Sequence, residues 1–367
     1  MRCRLSVLLF FAALAAVQFG RTPSVLAAGF EWQDAGGETT LLYDGRPAVR
    51  YVHEPLDESS PEARERTSKP YHHVFSPDGA TLLTKGPGGL YPYHHGVFFG
   101  FNRVTYHDGR TCDLWNCLDR AHQSHVREVA REVSETSAKL STGVDWHGIE
   151  GDVFAHEVRE IIVSRPTRDG VVGWQIDWVS HVTPTDGFPI HLDGDSHHAG
   201  FHFRASQEVA ESTATQTYFL RTDGAGRPDE SRSWEIGSGQ SPLNVECENR
   251  PWNAMSAMIG GNRYTILYLD HPTNPKPARY SERDYGRFGS YFVYDVTKEL
   301  PLYVKYRLWV QEGEMTVDQC AAMSMAFNSE GAVLPTTDLV TPRRDEVTPP
   351  ASGVELPNDA IQPNGPY

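Results

Sequence analysis

After its first 28 residues the sequence has no apolar run of about 18 residues, the length at which a membrane-spanning helix becomes plausible. It also lacks a basic excess: the formal net charge is −15, which disfavours nucleic acid and anionic membranes as partners. Internal repeats are absent, and an aromatic content of 11% excludes collagen, coiled coil and wholesale disorder. These absences predict an acidic globular protein without a membrane span, whose oligomeric state stays open.

The motifs of several enzyme classes are missing as well. There is no Gly-x-Ser-x-Gly, no His-Glu-x-x-His, no phosphate loop and no dinucleotide fingerprint before a helix. Cysteine is scarce, with five residues, and Cys112 and Cys117 have no second Cys or His pair at zinc-ligand spacing. If Cys3 is removed with the N-terminus, the remaining four cysteines can pair in three ways, and a local Cys112–Cys117 bridge is one option.

The N-terminus has the pattern of an export signal. Arg2 and Arg4 precede the apolar run 5–17, and small or short side chains lie before Ala28. This order is typical of a signal peptide, predicted here for residues 1–27, and it indicates a periplasmic or extracellular protein. The alternative is a retained anchor, but the run is shorter than the roughly 20 residues that cross a bilayer.

Strand patterns dominate the rest of the chain. Three hairpins are predicted, from 157–164 with 171–182, from 255–259 with 263–270 and from 290–296 with 302–310, and further strands at 96–104 and 199–205. One short helix is predicted at 317–327, because Thr316 and Gln319 have capping-box spacing. Seven prolines follow in residues 329–367, which predicts a disordered tail. We therefore expect an all-β protein with one large antiparallel β-sandwich domain over residues 28–328.

Histidine is the unusual residue. The chain has 16 histidines, and many fall in four clusters beside Gly and Pro, at residues 71–79, 91–102, 191–204 and 269–275. Because side chains alternate along a strand, His202 and Arg204 share one face, whereas Phe201 and Phe203 belong to the core. The His–Arg pair is expected to face a groove or solvent.

These clusters supply the candidate site residues. Imidazole carries protons near neutral pH, and Arg binds anionic or polarised oxygens. Aromatic rings stack on sugars, and acids accept hydroxyl protons. We predict catalytic roles for His95, His202, His271 and Asp113, and substrate-binding roles for Trp115, Arg204, His73, Tyr93 and Asn274. In this scheme His95 and His202 or His271 act as general acid and base, Asp113 orients a histidine and Trp115 stacks on a sugar ring.

The function predicted from these residues is an exported carbohydrate-active protein that acts on a sugar or glycoside by hydrolysis, elimination or epimerisation. No pair of carboxylates at the spacing of a glycosidase can be identified, so proton abstraction by histidine is favoured. Two alternatives stay open. One is a metal protein in which His72, His73, His94, His95 and His271 converge on copper or zinc, although no cofactor is predicted outright. The other is a non-catalytic sugar-binding module of the cell envelope.

The run from Tyr91 to Gly100 resembles the H-H-R-G-hydrophobic signature of a bacterial family of unknown function, often labelled methane oxygenase PmoA or PmoA-like. Asp113-Leu114-Trp115 and the segments 198–204 and 270–275 resemble its later blocks in the same order, so the likeness spans about residues 45–325. The signature's Arg is absent between His95 and Gly96. The resemblance implies a secreted β-sandwich similar in layout to mutarotase-type sandwiches, and not an integral helical oxygenase subunit.

Overall fold

The computed structural model describes residues 29–234 and 245–331. That part of the chain contains 23 strands and two α-helices. In chain order the strands are β1 (Phe30–Ala35), β2 (Glu38–Tyr43), β3 (Arg46–Val52), β4 (Tyr71–Val74), β5 (Val97–Phe101), β6 (Arg103–Tyr106), β7 (Arg110–Cys112), β8 (His122–Val133), β9 (Ser137–His147), β10 (Val153–Ser164), β11 (Thr167–Arg168), β12 (Val171–Val172), β13 (Trp174–Pro184), β14 (Ile190–Asp193), β15 (Ala199–Arg204), β16 (Tyr218–Arg221), β17 (Gly224–Ala225), β18 (Trp252–Ile259), β19 (Asn262–Asp270), β20 (Arg279–Arg283), β21 (Arg287–Tyr291), β22 (Tyr294–Val296) and β23 (Leu302–Glu312). The helices are α1 (Pro61–Thr67) and α2 (Val317–Asn328).

Two large antiparallel sheets form most of this structure. One has eight strands in the order β1-β2-β3-β4-β5-β15-β21-β20, and the other has nine in the order β17-β16-β18-β19-β23-β13-β10-β9-β8. A four-stranded sheet, β22-β14-β6-β7, and the short pair β11-β12 are the remaining sheets of the described ranges.

The two large sheets pack face to face around an apolar core. The ring of Phe201 in the eight-stranded sheet lies 5.0 Å from Trp178 and 4.6 Å from Tyr306 in the nine-stranded sheet, between centroids. Phe203 is also buried in this core. Side chains from two inner faces that interdigitate in this way define a β-sandwich. The predicted all-β antiparallel fold is therefore confirmed.

The predicted helix is also confirmed as α2. Thr316 and Gln319 form both hydrogen bonds of a capping box, and the helix packs Cys320 and Phe327 on the outer face of the nine-stranded sheet. Sequence reasoning missed α1, which starts with Ser60 as N-cap and Pro61 in the first turn. This helix is short and charged, so it has no apolar periodicity to detect.

Two of the three predicted hairpins form. Strand β10 pairs with β13 and β18 pairs with β19, and Asp169 and Gly170 have the positive φ values of a tight turn, 50° and 80°. The third hairpin, from 290–296 with 302–310, is wrong. The first of these segments is split between β21 in the eight-stranded sheet and β22 in the four-stranded sheet, whereas β23 pairs with β13 and β19. Both apolar runs are strands, but local sequence did not reveal that they belong to different sheets.

The structure corrects the expectation of paired cysteines. Cys112, Cys117, Cys247 and Cys320 are free and buried, so no local bridge closes between the first two. The predicted signal peptide and nearly all of the predicted tail lie outside the described residues. The first tail residues do belong to the domain, because Glu330 forms ion pairs with Lys305 and Arg307. No helix within the described ranges is long and apolar enough to cross a membrane.

The close approach of β15 to β21 gives a test of the sandwich. Gly200 has a φ of +88°, and a Cβ there would collide with the carbonyl oxygen of Ser290. Gly170 has a similar φ of +80°, but a Cβ added there would have nothing within 4 Å. We expect Gly170→Ala to cost about 1 kcal/mol of unfolding free energy, for backbone strain alone. Gly200→Ala should cost about 3 kcal/mol or more, because the clash adds to that strain.

Urea denaturation of the two variants and the parent measures this difference. Equal losses of unfolding free energy at the two positions would contradict the close packing of β15 against β21.

Candidate functional site

A row of polar side chains occupies the outer face of the eight-stranded sheet. His202 and Arg204 of β15 point to this face, opposite Phe201 and Phe203, as the alternation predicted. In the strand register His202 lies opposite Gly289, and Arg204 lies opposite Arg287 of β21. The expectation that the His–Arg pair faces a groove or solvent is wrong, because His202 is 0% exposed and Arg204 is 2% exposed. Loop segments cover this part of the sheet.

His95 enters the same site through a backbone junction. The N–H of Arg204 donates to the carbonyl of Gly96 at 2.9 Å, and the N–H of Gly96 donates to the carbonyl of Lys85 at 2.7 Å. A Cβ on Gly96 would overlap the carbonyl oxygen of His72, so only glycine fits at this junction. Hence the His95-Gly96 dipeptide of the 91–102 cluster is held directly beside Arg204.

The imidazole of His95 has no hydrogen-bond partner at either ring nitrogen in the described structure. It is 2% exposed and lies 4.9 Å from the Tyr71 ring, between centroids. Burial lowers its pKa well below the ordinary value, and the charges of Lys69 and Lys85 act in the same direction. His95 is therefore a neutral, unpaired imidazole at neutral pH.

His73, a predicted substrate-binding residue, lies on the neighbouring strand. Its Nδ1 is 2.9 Å from the Thr84 hydroxyl, and its ring contacts Tyr71, which also contacts His95. Burial lowers the pKa of His73 to about 4, with a further contribution from the charge of Arg50. His73 is thus at the edge of the site, already hydrogen-bonded within the fold.

His202 is the second central histidine. Its Nε2 is 2.8 Å from the carbonyl of Ala199, and its Nδ1 is 3.1 Å from a guanidinium nitrogen of Arg204. This pairing requires a proton on Nε2, so that Nδ1 accepts from Arg204. Burial, together with the charges of Arg204 and Arg287, keeps the pKa of His202 well below its ordinary value.

Trp115 lies at the centre of the site but is buried, so its ring is not exposed for the predicted stacking on a sugar. Its ring is 5.1 Å from the His202 ring and 5.1 Å from the guanidinium carbon of Arg204. Its indole N–H has no hydrogen-bond partner in the described structure.

The prediction that Asp113 orients a histidine does not fit the structure. The Asp113 carboxylate accepts from the N–H groups of Trp115 and Asn116 at 2.8 and 2.7 Å, and thereby fixes the turn that inserts Trp115.

Four cations are buried at this site. Lys69, Lys85, Arg204 and Arg287 are 4%, 5%, 2% and 1% exposed. None of them forms an ion pair with a carboxylate among the described residues. The lysines donate to backbone carbonyls, Lys69 to that of Trp115 and Lys85 to that of Gly86 at 2.9 Å. Burial lowers the pKa of Lys85 to about 8 and that of Arg287 to about 10.

An aromatic stack lies beside these cations. Tyr91 stacks on Tyr285 with centroids 4.5 Å apart, and His94 stacks on Tyr91 at 5.1 Å. The Tyr285 ring also lies 5.9 Å from the guanidinium carbon of Arg287. Burial lowers the pKa of His94, as do the charges of Arg204 and Arg287. The predicted substrate residue Tyr93 lies on the same loop and is 47% exposed.

His271 and Asn274 are not brought to this site. His271 packs on Phe327 of α2, and its Nε2 donates to the carbonyl of Glu330 at 3.0 Å. Its Nδ1 lies 2.7 Å from the hydroxyl of Thr273. Asn274 donates to Asp270 at 2.6 Å and accepts from the N–H of Lys305 at 2.7 Å. Both residues hold the end of β19 to its surroundings in the nine-stranded sheet. Their predicted roles do not fit this placement.

The histidines proposed for a metal also fail to converge. His72 and His73 are neighbours on β4 and point to opposite faces, with His72 stacked on Tyr51 and packed against Trp178 in the interior. His271 lies at α2, as described. Within residues 29–234 and 245–331, no group of three or more His, Cys, Asp or Glu side chains is arranged to hold a metal ion.

One open groove lies near the site, and a second pocket lies elsewhere in the described structure. This groove of about 480 Å³ has a mixed lining, whose polar residues include Asn102, Asp113, Asp119 and Asp193. A smaller pocket of about 170 Å³ lies between His53, His125 and Arg131. Neither pocket is lined by His95 or His202, so the central imidazoles lie beneath the surface. The larger groove reaches the site through Asp113 and the Trp115 turn.

A family match covers residues 38–325, most of the chain. The chain belongs to DUF6807, a family of unknown function. The description of DUF6807 carries no oxygenase label, so the resemblance to PmoA-like proteins stays a prediction. Comparison with curated proteins gives no match.

Solved structures similar to this DUF6807 chain have low identity. They include α-N-acetylgalactosaminidase NagBb from Bifidobacterium bifidum, a quadruple mutant, at 10% identity and a TM-score of 0.35 over 83% of this chain and 38% of that one. An α-galactosidase from Lactobacillus brevis has 11% identity and a TM-score of 0.35 over 81% and 39%. A galactose mutarotase related enzyme from Lactobacillus acidophilus has 9% identity and a TM-score of 0.31 over 78% and 98%. The chain thus spans about 38–39% of the length of both glycosidases, and likeness at these TM-scores assigns no function.

Sequence reasoning missed Lys69, Lys85, Tyr285 and Arg287. A signal existed only for Arg287: in Arg287-Phe288 a polar residue precedes an apolar one, as in His202-Phe203. The lysines carry no local pattern that distinguishes them from surface lysines.

The depressed pKa of His73 gives a stability test. In the unfolded chain this ring titrates near pH 6.5, whereas its pKa in the fold is about 4. Between these two pH values the unfolded state binds more protons than the folded state. The unfolding free energy of the parent therefore falls as the pH falls from about 6.5 to about 4. In His73→Gln we expect this slope to be smaller, by up to about 1.4 kcal/mol per pH unit.

Urea unfolding at several pH values between 4.5 and 8 on parent and variant would measure this, with the range above pH 7.5 as internal control. Parallel curves for the two proteins throughout would show that His73 is not held neutral by the fold.

Proposed function

We propose that this protein acts on a sugar or glycoside by proton transfer at the outer face of the eight-stranded sheet. The observation that carries the proposal is the presence of two neutral, buried imidazoles, His95 and His202, in segments that the Gly96–Arg204 backbone hydrogen bond holds together. His95 has two ring nitrogens without partners among the described residues, which leaves one to accept a proton and the other to donate. Hydrolysis, elimination and epimerisation all need such a group.

The surroundings of the pair support a carbohydrate ligand. Tyr91 and Tyr93 are exposed on the loop over the site, at 42% and 47%, and Tyr285 lies beneath Tyr91. Aromatic faces pack against the C–H surface of sugar rings. The adjoining groove offers the carboxylates of Asp113, Asp119 and Asp193 as acceptors for hydroxyl groups. Arg204 is placed to hold a polarised or anionic oxygen beside His202.

His95 acts as the proton acceptor in this proposal. Its ring is neutral in the free site and both ring nitrogens lack partners among the described residues, so no prior proton loss is needed. His202 already donates at Nε2 and accepts at Nδ1, so its role is to hold Arg204 in place. The predicted role of Asp113 becomes that of a positioning residue for Trp115.

Replacement of His95 tests this assignment. We expect His95→Gln to lower turnover about 100-fold or more, because a general base contributes on that scale. Turnover is measured as product release from a panel of neutral and acidic oligosaccharides. His181→Gln is the matched control, since His181 is also buried with two ring nitrogens unpartnered in the described structure but stacks on Tyr303 in the nine-stranded sheet.

Circular dichroism and the melting temperature establish that both variants fold. Full turnover in His95→Gln would overturn the catalytic role. Tight binding of a glycan by the parent, with no product from any member of the panel, would select the non-catalytic sugar-binding module instead.

Export is part of the same proposal and rests on the N-terminal pattern alone. Expression of the full chain in a bacterial host should yield a mature protein that begins at Ala28, because small residues precede that position. Intact-mass measurement of the protein from cell fractions gives the N-terminus and the compartment together. An uncleaved chain in the cytoplasmic fraction would contradict export.

A further inference from the structure

The arginine pair Arg204 and Arg287 is the least expected feature of the site. The two residues lie directly opposite each other on β15 and β21, and both are buried. Like charges in directly opposed cross-strand positions repel. A buried cation without an ion-pair partner also weakens the fold, because its lost hydration is not replaced. Such an arrangement needs a compensating negative charge.

The described residues do not supply that charge. Arg204 donates to His202 and to the carbonyl of His197, at 3.1 and 2.9 Å, and Arg287 donates to the hydroxyl of Ser281 at 2.9 Å. Within the same ranges, the Nε atoms of both arginines and Nη1 of Arg287 have no partner. Tyr285 also interacts with Arg287, but it is a phenol, so the described residues place no carboxylate on these N–H groups.

Asp195 is the one carboxylate of the described chain whose charge acts on both arginines. Its oxygens already accept from the Asn102 side chain at 2.8 Å and from the N–H of His197 at 2.8 Å, and they contact His198 at 3.0 Å. In this part of the structure Asp195 forms no ion pair with either arginine. It therefore leaves the site with an excess of positive charge, to which Lys69 contributes.

Other buried arginines in this chain are paired. Arg159 lies 2.8 Å from the carboxylate of Glu157, and Arg221 forms an ion pair with Glu282. All four of these side chains are almost fully buried. In a chain with a net charge of −15, acidic partners are abundant, so the lack of one beside Arg204 and Arg287 among the described residues marks a local exception.

We propose that Arg204 and Arg287 form a subsite for a carboxylate group, so that the substrate is an acidic sugar such as a uronate residue. The inference rests on the proposed function and adds the substrate class. Guanidinium groups match a carboxylate because each can present two parallel N–H donors to its two oxygens. The stack of Tyr91, Tyr285 and His94 lies beside the pair and offers a face for the sugar ring.

A carboxylate bound here also favours one kind of chemistry. Two cations that neutralise it make the hydrogen on the adjacent carbon easier to remove, and His95 takes that proton. In epimerisation water delivers a proton to the opposite face of the same carbon, and the resulting hydroxide takes up the proton held by His95. In elimination the electron pair forms a double bond to the next carbon, whose bond to oxygen breaks, and that oxygen leaves with a proton. Both reactions balance without an oxidant or reductant.

Binding measurements on the whole protein test the subsite. Calorimetric titrations would compare galacturonate and glucuronate oligomers with galactose and glucose oligomers of equal length, sulfated galactose oligomers, and inorganic phosphate and sulfate. We expect the uronate oligomers to bind about tenfold tighter or more than their neutral counterparts, as hydrogen bonds to charged groups require. The variant Arg287→Met should lose this preference.

The stability of the free protein separates a ligand-binding role from a structural one. Arg287→Met removes a repelled, unpaired cation, so its melting temperature should stay equal to that of the parent or rise. The matched control Arg159→Met leaves Glu157 buried without its partner and should melt at a lower temperature. An equal loss in the two variants, with no stabilisation of the parent by uronates, would overturn the subsite.

The outcomes also distinguish this inference from the proposed function. Equal affinity for neutral and acidic sugars, with turnover of a neutral one, overturns the acidic substrate and leaves the sugar-processing function intact. Binding of uronates without turnover of any sugar supports the subsite and overturns catalysis. Binding of only sulfated sugars, phosphate or sulfate overturns the assignment to a carboxylate.

Discussion

The architecture depends on the alternation of side chains along β15. Phe201 and Phe203 fill the core between the two large sheets, whereas His202 and Arg204 occupy the opposite face. A shift of one residue in register would exchange these two sets, placing a charge in the core. Pairing with β5 on one side and β21 on the other fixes the register. The position of the site is therefore a consequence of core packing.

The outer face of that strand is polar and yet buried, which is unusual for a sheet surface. Loops that carry Tyr91, Trp115 and His197 cover it. Tyr91 stacks on Tyr285, the Trp115 ring packs on Arg204, and the carbonyl of His197 accepts a hydrogen bond from Arg204. The apolar core supplies the stability that offsets buried imidazoles and cations. Buried polar and charged groups that lower the stability of the fold in this way are expected at functional sites.

Much of the fold followed from periodicity and turn chemistry, because these act within a few residues. The alternation on β15, the Asp169-Gly170 turn and the Thr316–Gln319 capping box were all readable in this way. The burial of Trp115 and the placement of His271 could not be predicted in this way, since both depend on which loop covers which sheet.

Pattern cannot supply such long-range information. His271 has the same Gly/Pro-rich surroundings as His95, but its strand belongs to the other sheet. The buried cations could not be predicted for the same reason. In the sequence, a lysine that is buried without a carboxylate partner has the same local pattern as a surface lysine.

The cations and the imidazoles of the site are coupled through their charges. Arg204 and Arg287 lower the pKa of His202, and Lys69 and Lys85 lower that of His95, in addition to the larger effect of burial. An anion bound at the arginine pair cancels part of this positive field and so raises the proton affinity of the nearby rings. By linkage, protonation of a ring then strengthens the binding of the anion. The free site thus keeps its histidines deprotonated, and the carboxylate proposed for the arginine pair would raise the proton affinity of His202.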